Sequence, residues 1–149
     1  MFQKTIEKIE SNPKKLFLID GFGAILSAFL LGFVLVKLEK LVGIPTSTLY
    51  FLAALPICFA LYDFYCYQKE SDKLGQFLKA IALLNLVYCC LSIGIAFYHF
   101  GTLTNLGWTY ILIEVLIVIT LAILELKVAK TWTRNYNKTA QDKSNNVKF

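Results

Sequence analysis

The stretch LFLIDGFGAILSAFLLGFVLV, residues 16–36, is apolar almost throughout, yet it carries Asp20 near its start. About 20 helical residues cross a hydrocarbon core about 30 Å thick, and this run has that length. Three further runs of the same kind follow, so spans are expected at 16–36, 48–67, 77–98 and 106–126. The runs do not alternate apolar and polar residues, which argues against membrane barrel strands. The first is too long for a signal-peptide core, and no small-residue cleavage motif follows it. Composition agrees. The 149 residues, enough for one domain, are 57% hydrophobic, with a mean hydropathy of +0.60. Soluble proteins stand at roughly 45–50%. The expected fold is all-α, a four-helix transmembrane bundle running up-down-up-down.

Charge sets the expected orientation. Thirteen of the fifteen basic residues fall in residues 1–15, in or beside the loop between the second and third runs, and in residues 127–149. Only Lys37 and Lys40 lie on the other side. The positive-inside rule then puts both termini in the cytoplasm. The net charge of +5 follows from these flanks. It predicts attraction to anionic lipid headgroups, so the bilayer is the expected partner and nucleic acid is not. In residues 1–15, Phe2, Ile6 and Ile9 stand at helical spacing before Asn12-Pro13, which suits a short helix on the membrane face. The polar tail, 127–149, reads as partly disordered.

Each run holds one strongly polar residue: Asp20, Asp63, Asn85 and Glu114. Small residues share their faces. Gly23 and Ser27 follow Asp20, Pro56 and Ala60 precede Asp63, and Glu125 follows Glu114 three turns later. Small residues let helices approach closely, and polar ones hydrogen-bond between helices. These faces are expected to point inward, with Gly23, Ser27, Pro56 and Ala60 as packing positions. At about 1.5 Å per residue, Asp20 and Asp63 lie roughly 6 Å from the cytoplasmic ends, Asn85 roughly 12 Å and Glu114 roughly 18 Å. That makes a staggered polar line, with Asp20 facing Asp63. Apart from Lys79 at the edge of the third run, no lysine or arginine accompanies the acids. Intramembrane ionisable residues mark functional sites by default, but a network that only ties the bundle together meets the same pattern.

Other chemistry is sparse. Cys58, Cys66, Cys89 and Cys90 lie within or beside the runs, where cysteine packs as a small apolar residue. Only His99 could join them on a metal, and it lies more than two turns from Cys89-Cys90, so no metal site is expected. There is no nucleophile–base arrangement and no phosphate-binding loop. Neither a catalytic set nor a cofactor is expected.

The stretches KKLFLIDGFGAILSAFLLG, LYDFYCY, NLVYCCLSIG and ILELK resemble a group of small four-span inner-membrane proteins of bacteria that has no assigned activity. The likeness covers Lys14 to Lys127. It implies a bacterial inner-membrane location and carries over no catalytic residue. Small multidrug transporters also have four spans, but they are shorter and carry a glutamate deep in the first. Here the first acid is an aspartate near one edge.

The expectation that follows is a small integral membrane protein acting by interaction or assembly, as a homo-oligomer or with a membrane-protein partner. The alternative is a small transporter or channel for protons, a cation or a small polar solute, using Asp20, Asp63, Asn85 and Glu114.

Overall fold

The computed structural model describes residues 12–69 and 72–146, and every element among them is helical. The stretch that holds Phe2, Ile6 and Ile9 lies outside the described residues. Helix α1 spans Lys14–Phe29 and continues as a π-helical segment, Leu30–Leu35. A short α2, Glu39–Val42, precedes α3, Thr46–Gln68. Helix α4 is Leu74–Tyr98, and α5 is Asn105–Asn146.

Backbone chemistry places these boundaries. An apolar segment in lipid must satisfy its N–H and C=O groups internally, which leaves helix as the form for a lone span. Pro13 and Pro45 stand immediately before α1 and α3, where a missing N–H costs nothing. Gly43 ends α2 with φ +81°, the left-handed conformation that glycine adopts without penalty. A side chain there would also collide with the Thr102 carbonyl.

Among the described residues three helices are long and apolar enough to cross a membrane: Lys14–Leu35, Thr46–Gln68 and Leu74–Tyr98. They mark the chain as membrane-embedded. Helix α5 is apolar over its first half and polar over its second. Phe22, Leu61, Leu83 and Leu116, one from each of the four long helices, are all more than 60% exposed. Cys58 and Cys90 are exposed as well, unlike Cys66 and Cys89, so two of the four thiols point outward rather than into the packing.

The helices associate as two close pairs, α1 with α3 and α4 with α5. The pairs meet along α3 and α4, and only sparsely between α1 and α5. One apolar cluster, including Leu31, Leu49, Leu52 and Ile111, fills the half nearer Gly43. A second, including Phe17, Cys66, Leu78 and Val128, fills the half nearer Lys14. At the Gly43 end the two pairs share backbone bonds. The Thr104 N–H donates to the Val42 carbonyl (3.1 Å), and the Thr102 hydroxyl donates to that of Gly43 (2.9 Å).

Helix α5 runs on to Asn146, because no proline or glycine interrupts residues 127–146. Its contact with α4 extends past the apolar half. Gly75 lies against this stretch so closely that a Cβ there would stand 2.6 Å from the Thr133 hydroxyl and 3.2 Å from the Ala129 carbonyl.

Candidate functional site

Six polar side chains lie buried between the helices: Asp20, Asp63, Asn85, Ser92, Glu114 and Glu125. Helical periodicity puts them there. On α3, Pro56, Ala60 and Asp63 share one buried stripe. On α4, Ala82, Asn85, Cys89, Ser92 and Ala96 do the same. Small neighbours let the backbones come close enough for short polar side chains to reach across.

The polar residues form two groups. In the first, the Asn85 amide donates to Asp20 Oδ2 (3.0 Å) and at longer range to Glu125 Oε2 (3.4 Å). Asp63 is wholly buried, and its carboxyl lies beside those of Asp20 and Glu125. Neither Asp63 oxygen has a hydrogen-bond donor, and Glu125 Oε1 lacks one too. In the second group, Glu114 Oε1 accepts from the Ser27 hydroxyl and from the Tyr88 hydroxyl (2.9 Å). Tyr110, one turn before Glu114, brings its own hydroxyl beside both Ser27 and Glu114.

A cavity of about 220 Å³ joins the two groups. Asp20 and Asn85 border it from the first group, and Ser27, Tyr88, Tyr110 and Glu114 from the second. Among the buried polar residues Glu114 keeps the largest exposure, 8%, and it borders the cavity. No lysine, arginine or histidine borders it. Among the described residues no group of three histidine, cysteine, aspartate or glutamate side chains has the geometry to hold a metal ion.

Each residue singled out in the sequence can now be placed. Asp20, Asp63, Asn85 and Glu114 are all buried, and Asp20 does lie beside Asp63. Asn85 bonds Asp20 directly, and the cavity continues from this pair to Glu114. Pro56 and Ala60 are buried, and Pro56 forms part of the cavity wall. Ser27 is a hydrogen-bond donor rather than a mere spacer. Gly23 is not a packing position: a Cβ there would meet no atom within 4 Å, since the residue borders the cavity. The close approach of α1 to α3 falls at Gly21 instead, whose Cβ would stand 3.3 Å from that of Asp63.

Glu125, expected on the inward face of the fourth run, joins the first group. It lies one residue from the expected end of the fourth run, where acids are ordinarily wetted. Its spacing of eleven residues from Glu114, close to three whole turns, was the available signal. Comparison with protein-family models, with curated proteins and with solved structures finds no match to this chain. The geometry of the site therefore carries the functional argument.

Proposed function

We propose that this chain is a four-span protein of the bacterial inner membrane, with both termini in the cytoplasm, and that its polar interior is the solute site of a small transporter. The fourth span is the apolar half of α5, residues 106–126, which holds only Glu114 and Glu125 as charged residues. The distribution of lysine and arginine supports the orientation. The resemblance of Lys14 to Lys127 to small bacterial inner-membrane proteins supports the location.

One observation carries the transport reading. Polar groups that serve only to tie helices together consume one another's hydrogen-bonding capacity and leave no space. Here Asp20, Ser27, Asn85, Tyr88, Tyr110 and Glu114 border an open volume whose wall is otherwise apolar. The experiment is carboxyl modification with dicyclohexylcarbodiimide in proteoliposomes, located by peptide mass spectrometry. Glu114 should react, and the wholly buried Asp63 and Glu125 should not. Equal reactivity of Glu114 and Glu125, or none at Glu114, would defeat the reading.

Assembly with a second copy or a membrane-protein partner is favoured by a different feature. Residues 134–142 of α5 are helical, exposed on every side and carry Arg134 and Lys138. Deleting residues 134–149 and comparing the size of the detergent complex tests that second reading.

A further inference from the structure

The apolar part of the cavity wall bears on what the site accepts and how it is reached. Leu26 on α1 and Ile113 and Ile117 on α5 border the cavity, and each is more than half exposed on the outer surface. A residue that borders a cavity and also faces outward marks its mouth. That mouth lies where α1 and α5 touch least. Gly23 lies there too, with open space where a side chain would begin. The opening therefore faces sideways, toward the lipid on the four-span reading, and not along the helix axes.

The wall is mostly apolar; its acidic residues are Asp20 and Glu114, and no basic residue borders the cavity. An anion would meet repulsion and no hydrogen-bond partner of opposite sign. Ser27 and Tyr88 already donate to Glu114 Oε1. Aromatic rings stand beside the carboxyls. Phe59 and Tyr88 both border the cavity and meet edge to face, with centroids 6.1 Å apart. Ring faces attract cations, and more strongly out of water. The volume, about 220 Å³, lies below the roughly 300–1,000 Å³ of sites for drug-sized ligands. A polar head and a short apolar body fit, and a longer tail would remain between the lipids.

We infer that the cavity takes a protonated amine borne on an apolar body, and that this ligand arrives laterally from the bilayer between α1 and α5, passing Gly23. The inference rests on the reading of the cavity as a solute site and adds its ligand class and route.

The test uses the full chain in phosphatidylcholine nanodiscs, with hexylamine, hexan-1-ol and hexanoate as probes. Calorimetric titration is corrected for partition into protein-free discs. Hexylamine should bind saturably, at least tenfold more tightly than hexanol, with hexanoate silent. Glu114→Gln keeps an acceptor for Ser27 and Tyr88 but loses the charge, and it should weaken hexylamine at least tenfold. Gly23→Leu should leave the unfolding midpoint unchanged and abolish binding. Ile117→Trp narrows the same mouth from α5 and should act alike. Equal binding of amine and alcohol would overturn the ligand class. Undiminished hexylamine binding by both mouth variants would overturn the route. Carbodiimide labelling of Glu114 without saturable binding of any probe would sink this inference and leave the solute site standing, whereas absence of labelling would remove both.

Discussion

Gly21 on α1 and Asp63 on α3 lie so close that a methyl group on Gly21 would stand 3.3 Å from the Asp63 Cβ. That Cβ is fixed to the α3 backbone, so the two helices would have to part. Overpacking of this kind costs about 1–3 kcal/mol. Gly21→Ala should fall at the low end and Gly21→Leu at the high end, read as lowered thermal midpoints in detergent. Gly23→Leu, two residues along the same helix, should show no loss. A reversed order would mean that α1 faces α3 by a different stripe.

Asn85 and Asp63 make opposite predictions. The Asn85 amide serves both Asp20 and Glu125. Asn85→Leu removes that donor and leaves buried acceptors without one, at about 1–3 kcal/mol. Asp63→Asn introduces a donor where both carboxyl oxygens have none, and it should raise stability by about 1 kcal/mol. Thermal unfolding of the two variants in the same detergent decides the matter. Destabilisation by Asp63→Asn would show that its carboxyl is needed as such.

The turn before α3 is expected to respond to acid. Glu39 accepts from the Thr46 hydroxyl (2.7 Å) and from the Thr46 N–H (3.1 Å). These bonds hold its carboxyl below the ordinary value of 4.5. A lowered folded-state value means that the stabilisation is present above the ordinary carboxylate range and is lost as pH falls through the folded value. Amide hydrogen exchange across residues 39–46 should therefore quicken on acidification once corrected for intrinsic rates. Glu39→Gln should abolish that pH dependence.

Topology has a direct readout. A reporter active only outside the cytoplasm should be silent when fused after Phe149 or within residues 69–73. Fused within residues 101–105 it should be active. Activity at the chain end would show that the polar half of α5 lies on the other side.

Much of this was legible in the sequence, and the parts that were not share a cause. Periodicity placed Asp20, Asp63, Asn85 and Glu114 inside, because one polar side chain per apolar run has no favourable place against lipid. Which small residue makes contact was not legible. Gly21 and Gly23 are equally small, and only the relative rotation of α1 and α3 separates packing from cavity wall. The partnership of Asn85 with Asp20 depends on how far α4 slides along α5, a quantity that no local pattern encodes.

The bonds between residues 41–43 and 102–104 have a mechanical meaning. Thr104 donates from its N–H to the Val42 carbonyl and from its hydroxyl to that of Leu41 (2.5 Å), and Gly107 packs directly against Val42. Directional backbone bonds resist sliding. The opposite end is joined by apolar side chains and by the Asp20–Asn85–Glu125 contacts, which can slip or exchange partners. The two helix pairs are thus held at both ends, by backbone hydrogen bonds at one and by the short covalent link between Gln68 and Leu74 at the other.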